Sequence, residues 1–257
     1  MQQMIIKNEN EKKNLIKAGK RLAYIMALLR DKVAPGVSTE ELDDLTEQLI
    51  RDNGDSPAFL GYIPEGASRS YPASLCVSIN DEIVHGIPNE SQKTLENGDI
   101  VGLDFGLEHK GIIVDAAVTV PVGNVDEISK KLLRATEKAL MAGIAKAVPG
   151  NHMGDISYVI QEEIENAGFS IVKSLGGHGV GNQVHDEPFI PNFGRPGTGP
   201  LLEEGMVLAL EPISSAGKAA VILSPDGYTY RTKDGSRSAH FEHTILIEKD
   251  RARIITK

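Results

Sequence analysis

The sequence predicts an α+β protein made of two similar halves that pack around a shared site. Two helical patterns separated by Pro35-Gly36 occur early in the chain, and two more separated by Pro149-Gly150 occur later. The second helix of each pair is followed by a glycine, Gly54 or Gly168, at the same distance from the first glycine. Strand-like segments follow both pairs, which indicates a diverged internal repeat. No linker divides the halves, so we expect a single domain over residues 1–257.

The four helices are indicated by apolar residues at helical spacing. Residues 9–33 and 127–147 carry such patterns. Ser38, with Glu41 three residues later, is a capping-box signature for a second helix that we expect to stop at Gly54. A helix from about Gly154 to Gly168 completes the second pair.

In each half, a glycine precedes an apolar strand that we expect to end in a carboxylate, Asp104 in the first half and Glu211 in the second. Asp115 follows Asp104 across a predicted hairpin. If His109-Lys110 is its two-residue loop, the two aspartates lie directly opposite each other on one face. A bulge at Gly111 would shift this register by one residue. Facing anions among apolar residues repel each other unless one is protonated or a cation lies between them.

The second half also contains Glu242, inside a strand-like segment. A single glutamate there would be an ordinary edge residue, and each aspartate could be a separate turn residue. Two aspartates in one half and two glutamates in the other instead favour a pair of divalent ions that activate a water molecule. With an imidazole added, the mixed oxygen and nitrogen donors favour manganese, iron, cobalt or zinc over calcium.

The histidines offer that nitrogen donor. His178 and His185 lie in GGHGVGNQVHDEP, residues 176–188, where glycines would let the backbone approach a ligand closely. The spacing fits neither a dinucleotide fingerprint nor a P-loop, and it is not the His-Glu-x-x-His of single-zinc proteases. His85, at a strand end, is equally compatible with a site residue and with a buried structural histidine. The others are interpreted as turn (His109), cap or loop (His152), and supporting or surface residues (His240 and His243).

Composition narrows the class of protein. The net charge is −9 without a basic stripe, which argues against nucleic-acid binding as the main task. The single cysteine, Cys76, indicates a reducing compartment and is more simply a buried apolar residue than a nucleophile. No signal peptide or apolar membrane span is evident, so we expect a cytoplasmic protein without a membrane partner.

These residues and their surroundings resemble the methionine aminopeptidases over almost the whole chain, from about residue 5 to 250. The matching stretches are Val-His85-Gly-Ile-Pro, Gly-Asp-Ile-Val-Gly-Leu-Asp104, Gly-His178-Gly-Val-Gly, His185-Asp-Glu-Pro, Leu-Ala-Leu-Glu211-Pro and Phe-Glu242-His-Thr. The resemblance implies the pita-bread fold, in which pseudo-twofold α/β halves with antiparallel sheets enclose a dimetal site.

The resemblance also implies a role for each position. Asp115 and Glu242 would bridge two divalent ions (cobalt, manganese, iron or zinc), Asp104 would complete the ligands of one, and His178 and Glu211 would bind the other. Glu211 would also shuttle a proton, His85 would contact the substrate near the scissile amide, and His185 would stabilise the developing oxyanion. The pocket for the methionine side chain would consist of Phe59, Tyr62, Tyr71, Cys76 and Tyr228.

The implied reaction removes the first methionine from peptides and nascent proteins whose second residue is small. The short stretch between Glu211 and Glu242 resembles type I members, and we expect a monomer with transient ribosome contact. Around the pocket the chain departs from the family: the segment Tyr62–Tyr71 is longer, Val184 replaces a common phenylalanine, and Tyr228 replaces a common tryptophan. The alternatives are an Xaa-Pro aminopeptidase or dipeptidase, and a non-enzymatic binding module with the same fold.

Overall fold

The computed structural model describes residues 3–64, 66–91 and 93–257. Its helices are α1 (Glu9–Lys32), α2 (Thr39–Asp52), α3 (Glu127–Lys146) and α4 (Met153–Asn166). The predicted capping box is confirmed: the Ser38 hydroxyl accepts the Glu41 N–H, and the Glu41 carboxylate accepts the Ser38 N–H. His152 is the N-cap residue of α4, as expected of a cap residue. All four helices thus lie where the sequence pattern predicts them.

The strands of the described residues form four antiparallel sheets. They are β1 (Ser56–Pro57), β2 (Cys76–Ile79), β3 (Glu82–Val84), β4 (Ile100–His109), β5 (Ile112–Pro121), β6 (Ser170–Ile171), β7 (Gly176–Gly179), β8 (Asp186–Pro191), β9 (Val207–Leu210), β10 (Ile213–Ser215), β11 (Val221–Leu223), β12 (Tyr230–Thr232), β13 (Ser238–His240), β14 (His243–Ile247) and β15 (Ala252–Ile254). In the first half, β4 pairs with β1, β2 and β5. In the second half, the order β15-β14-β9-β7-β8 forms the main sheet. The predicted α+β class is confirmed.

The β4–β5 hairpin corrects the predicted register. Its loop is Lys110-Gly111, and Asp104 pairs with Ala117 while Asp115 pairs with Gly106. Lys110 and Gly111 have φ angles of 52° and 79°, the left-handed conformation that a tight hairpin turn requires and that glycine adopts readily. The shift is two residues rather than the one that a bulge at Gly111 would give. Both aspartates therefore remain on one face, as diagonal neighbours instead of an opposed pair.

The two predicted carboxylate strands end differently. In the first half β4 continues past Asp104 to His109, so Asp104 lies in mid-strand. In the second half β9 ends at Leu210, directly before Glu211. Pro212 follows and has no N–H to donate to a neighbouring strand, which accounts for the earlier end.

A seam between β5 and the β13–β14 segment joins the two halves. At its centre, the Glu242 N–H donates to the Ala117 carbonyl at 2.8 Å. On one side, the Thr244 hydroxyl donates to the Asp115 carbonyl and accepts the Asp115 N–H. On the other side, the Thr119 hydroxyl makes the same pair of bonds with the His240 backbone. A threonine from each half is thus hydrogen-bonded to the backbone of a cavity residue in the other half.

Two large apolar cores lie behind the site. One packs α1 and α2 against the β4–β5 hairpin, and the other packs α3 and α4 against the second-half sheet. The interpretation of residues 1–257 as a single domain stays a prediction. Within the described residues, no helix is long and apolar enough to cross a bilayer.

Because α1 packs closely against the C-terminal segment, we expect a substitution that favours helix formation to lower the stability of the fold. A Cβ atom on Gly19 would overlap the carbonyl oxygen of Ile255, which is backbone. Gly19→Ala should therefore destabilise the fold by about 1–3 kcal/mol, although alanine favours helices by roughly 1 kcal/mol. Urea unfolding followed by circular dichroism measures the change.

Gly143→Ala in α3 is the matched control. Its Cβ would lie 2.9 Å from the Cδ1 and Cγ1 atoms of Ile160, which are side-chain rather than backbone atoms and can shift more easily than a carbonyl group. We expect a clearly smaller loss of stability for this variant. Equal losses in the two variants would contradict the close approach of α1 to Ile255.

Candidate metal centre and active site

Carboxylates from both halves line one cavity. Asp104 and Asp115 enter it from the β4–β5 hairpin, Glu211 follows β9, and Glu242 lies between β13 and β14. Asp115 and Glu242 are almost fully buried, at 3% and 2% exposure. Four acidic groups in a space with little water repel one another strongly unless protons or cations compensate them.

Several polar atoms of this cluster have no hydrogen-bond partner within the described part of the chain. They are Asp104 Oδ1, Asp115 Oδ1, Glu242 Oε1 and His240 Nε2, all buried. Buried polar atoms are nearly always satisfied in folded proteins, so a group of unpartnered atoms facing one cavity fits a site that binds a ligand through several of them.

His178 shows what charge that ligand carries. Its Nδ1 lies 2.9 Å from the Gly179 carbonyl oxygen, which only accepts, so Nδ1 holds the ring proton. The Nε2 lone pair then faces oxygens of Glu211 at 3.5 Å and of Glu242 at 3.9 Å. A nitrogen lone pair facing an ionised carboxylate is repulsive unless a proton or a cation lies between them. Ligand atoms of Asp115, His178 and Glu242 lie within 4.8 Å of one another, a set that fits a divalent cation.

Burial sets the protonation of the metal-free cluster. It raises the pKa of Asp115 to about 8, with the Glu211 charge adding to the effect. Burial likewise holds the pKa values of Asp104, Glu211 and Glu242 well above their ordinary range. It lowers the pKa of His178 to about 3, so the ring is neutral and able to act as a ligand. Metal binding at this centre must therefore displace protons from carboxyl groups.

The two histidines of the glycine-rich stretch meet in the cavity. The ring centroids of His178 and His185 are 4.6 Å apart, because β7 and β8 fold back on each other. The Asp186 carboxylate closes the connecting loop by accepting the N–H groups of Asn182 and Gln183. His185 Nδ1 lies 2.9 Å from the Tyr62 hydroxyl.

The glycines around His178 serve a different purpose from the one expected. A Cβ atom on Gly177 would overlap the Ala209 carbonyl, and one on Gly179 would overlap the Glu187 carbonyl. Their missing side chains face the neighbouring strands β9 and β8, not a ligand. The glycines allow tight strand packing that brings His178 against the carboxylates.

An apolar pocket adjoins the carboxylates. Tyr71, Cys76 and Tyr228 are buried in its wall, and Val184 and Pro64 contribute further apolar surface. Burial raises the pKa of Cys76, so its thiol stays protonated and is unsuited to act as a nucleophile. The cavity brings together every site residue predicted from the sequence: Phe59, Tyr62, Tyr71, Cys76, His85, Asp104, Asp115, His178, His185, Glu211, Tyr228 and Glu242.

His240 is a cavity residue that sequence reasoning did not assign to the site. Its Nε2 lies 3.2 Å from Glu211 Oε2 without hydrogen-bonding geometry. The sequence does contain an indication of this position: His240 precedes Glu242 by two residues, and residues at that spacing share one face of a strand. His243 faces the other way, and its Nδ1 contacts the Thr256 hydroxyl at 3.0 Å.

His109 corrects another prediction. It is the last residue of β4 and buried, rather than part of the turn. Its Nδ1 lies 2.7 Å from Asp55 Oδ1, which also accepts from Arg21 at 2.6 Å. Because the turn lies one residue later than expected, His109 falls inside the ladder and its side chain is packed.

Comparison with known proteins identifies the family. The sequence profile of Metallopeptidase family M24 matches residues 13–249. This chain belongs to that metallopeptidase family. Among its relatives, "Methionine aminopeptidase" of Clostridium perfringens is 45% identical over 253 residues, covering 98% of both chains. "Methionine aminopeptidase 1" of Bacillus subtilis is 41% identical over 254 residues, covering 99% of both. The chain therefore falls among the methionine aminopeptidases.

Two solved structures have the same architecture as this chain. The crystal structure of methionine aminopeptidase from Thermotoga maritima superposes with a TM-score of 0.93, at 42% identity and 99% coverage of both chains. Prolidase from Pyrococcus furiosus gives a TM-score of 0.75 at 22% identity, covering 99% of this chain and 66% of the prolidase. The latter similarity concerns the fold alone. The predicted pita-bread fold of the metallopeptidase is confirmed.

The raised carboxyl pKa values predict a pH-dependent stability. Asp115 has a folded pKa of about 8 against an ordinary value of 3.8, so the metal-free native state binds more protons than the unfolded state between those values. This group's contribution to the free energy of unfolding is therefore complete near pH 4 and is lost as the pH rises to 8. Asp115→Asn removes the titration and provides the comparison.

Thermal unfolding in EDTA between pH 5 and 8 measures the effect. We expect the wild-type midpoint to fall relative to Asp115→Asn as the pH rises. Saturating Mn²⁺ should reverse this trend in the wild type, because the ion binds ionised carboxylates. A difference between the two proteins that stays constant with pH would contradict the assignment.

Proposed function

We propose that this chain is a metal-dependent aminopeptidase that removes the N-terminal methionine from peptides and nascent proteins whose second residue is small. The observation that carries the proposal is the position of the Nε2 lone pair of His178 opposite Glu211 and Glu242, beside an apolar pocket. A cation centre next to an apolar pocket suits cleavage of a bond adjacent to an apolar terminal residue.

The proposed ligands of two divalent ions are Asp104, Asp115, His178, Glu211 and Glu242. Asp115 and Glu242 would be shared by both ions, and manganese, iron, cobalt and zinc all suit this mixture of oxygen and nitrogen donors. When bound, such ions would supply Lewis acidity for activating a water molecule and polarising the scissile carbonyl.

Glu211 is our proposed general base. Its carboxylate faces two neutral imidazoles, with His178 Nε2 at 3.5 Å and His240 Nε2 at 3.2 Å. Burial raises the pKa of Glu211 well above its ordinary value, which brings its proton affinity nearer to that needed to take a proton and later release it near neutral pH. The same burial keeps bulk water away from the reacting bond.

His185 is our proposed electrophile for the scissile carbonyl. The Tyr62 hydroxyl lies 2.9 Å from Nδ1, and burial raises the pKa of Tyr62, so the phenol stays protonated. With that hydroxyl donating to Nδ1, the ring proton of the neutral imidazole is on Nε2. Nε2 can then donate to the oxygen on which negative charge develops.

His85 is our proposed contact for the substrate's terminal amine and the scissile amide. Its backbone has a φ of 58°, which is uncommon outside glycine, and the ring packs edge-on to Tyr230 at 5.8 Å. Burial lowers the pKa of His85 to about 3, so the ring stays neutral and can accept a hydrogen bond from the amine.

The proposed partners are peptides and nascent chains that begin with methionine. We further propose transient contact with the ribosome, a monomeric state and a cytoplasmic location. The location is supported by the single buried cysteine, which indicates a reducing compartment.

Metal reconstitution tests the function. The protein stripped with a chelator should release no methionine from Met-Ala-Ser, and adding Mn²⁺, Co²⁺ or Fe²⁺ should restore release. An Ala-Pro-Ser peptide tests the Xaa-Pro alternative. The proposal fails if methionine is not released under any of these metals, or if the proline peptide is the better substrate.

Glu211→Gln tests the base. It keeps the size of the side chain but removes its proton affinity and weakens its metal binding, so kcat should fall roughly 10³-fold or more. Glu163→Gln, which alters a carboxylate paired with Lys138 on the surface, is the control and should leave kcat unchanged. A near-normal kcat for Glu211→Gln, with metal content matched by elemental analysis, would reject this role.

A further inference from the structure

The two ends of a loop beside the apolar pocket lie next to each other and are joined by backbone hydrogen bonds. The pocket loop, residues 63–70 with Glu65 outside the described residues, is closed at its base by the Tyr71 N–H donating to the Tyr62 carbonyl at 2.8 Å. A second bond joins the Gly61 N–H to the Tyr71 carbonyl at 2.9 Å. Both tyrosines, and Pro64 within the loop, line the cavity. The loop therefore helps to set the shape of the pocket.

Arg69 attaches this loop to two other segments. Its guanidinium makes two hydrogen bonds to the Glu90 carboxylate, from NH1 to Oε1 and from NH2 to Oε2, the latter at 2.8 Å. NH2 also donates to the Asp226 carbonyl at 2.9 Å. The planar guanidinium thus uses its fork geometry to hold a carboxylate and a turn at once, which lysine could not do.

The same arginine holds Tyr228 of the pocket wall. Its guanidinium carbon lies 5.5 Å from the centre of the Tyr228 ring, and the Tyr228 hydroxyl donates to the Arg69 carbonyl. A further ring contact is with Tyr71, edge-on at 5.2 Å. Tyr228 is therefore fixed by ring stacking, a cation and a hydrogen bond, and its orientation depends on where Arg69 lies.

An exposed ion pair alone would add little to this arrangement. The side chains of Arg69 and Glu90 are 38% and 40% exposed, and such pairs are weakened by water and salt. Arg69 contributes more than such a pair because it also contacts the Asp226 carbonyl and the Tyr228 ring. Because one side chain joins the loop, Glu90 and the Asp226–Tyr228 turn, its removal frees several parts of the pocket wall together.

We propose that Arg69 is a positioning residue that determines the selectivity of the apolar pocket, by fixing Tyr228 and the pocket loop so that the pocket accepts an unbranched side chain of methionine's size and rejects a wider one. The inference rests on the proposed function for the identity of the substrate. The pocket wall itself consists of residues that Arg69 touches directly or holds through the loop.

The test measures binding of free amino acids, separately from turnover. Calorimetry on the Mn²⁺-loaded protein gives the affinity for L-methionine and L-phenylalanine in the wild type, Arg69→Gln and Glu90→Gln. We expect the methionine-to-phenylalanine affinity ratio to fall about tenfold in Arg69→Gln, within the range of discrimination that apolar pockets achieve. Glu90→Gln should shift the ratio in the same direction, and the double variant should add little because the pair acts as a unit.

Hydrogen exchange read by mass spectrometry supplies a second readout. Peptides covering residues 62–71 and 226–230 should take up deuterium faster in Arg69→Gln than in the wild type. The matched control is Arg51→Gln, which removes an arginine paired with Glu47 on the exposed face of α2. That variant should change neither the affinity ratio nor the exchange of either peptide.

Each outcome bears on the proposal. An unchanged affinity ratio in Arg69→Gln overturns it, whether or not the loop exchanges faster, and so does a wild type without a preference for methionine. A fallen ratio without faster exchange would overturn the role of the loop. Failure of the wild type to cleave any methionine peptide would contradict the hydrolase proposal and would leave the binding comparison valid.

Discussion

The mutual repulsion of four carboxylates, three of them buried and Glu211 largely so, is the constraint on which the rest of this structure depends. Ionised, they would drive apart the strands that carry them, and protonated, they would hold no cation. The fold withstands that repulsion because strand pairing and the seam fix the backbone of Asp104, Asp115 and Glu242, as the Thr244 hydroxyl fixes Asp115. The Glu211 carbonyl is held by a hydrogen bond from the Asn192 side chain. A divalent cation converts the repulsion into cohesion, so the same residues weaken the metal-free protein and strengthen the loaded one.

The duplicated architecture explains how these groups converge. Each half contributes two acidic residues, Asp104 and Asp115 from the β4–β5 hairpin and Glu211 and Glu242 from segments next to β9 and β14. The seam holds the two halves together around them. Among the cavity histidines, His178, His185 and His240 come from the second half, where the tightly packed glycine strand β7 places His178 against the glutamates, and His85 comes from the first. The apolar pocket comes mainly from the first half, through Phe59, Tyr71 and Cys76. The pocket for an apolar side chain thus lies mostly in the first half, whereas the candidate metal ligands come from both halves.

Much of this could be predicted from the sequence, for physical reasons that differ between features. Acidic residues in apolar strand-like segments are costly to bury, so Asp104, Asp115, Glu211 and Glu242 stand out in the sequence as candidates for a site. The hairpin register could not be predicted, since the loops His109-Lys110 and Lys110-Gly111 differ only in which pair adopts positive φ. The purpose of the glycines around His178 was also hidden, because the carbonyls they avoid belong to strands distant in the chain. Arg69 escaped notice for the same reason: its partners lie 21 and 157 residues away.

The seam between the two halves constrains the order in which the protein folds. Its threonine contacts join residues 121 and 129 positions apart, so they close only after most of the intervening chain has folded. A partly synthesised chain carries its two aspartates on a completed hairpin while their glutamate and histidine partners do not yet exist. The carboxylates and the histidine that would bind metal therefore come together only late in folding. A metal ion bound by all of them would require that the second half has already packed against the first.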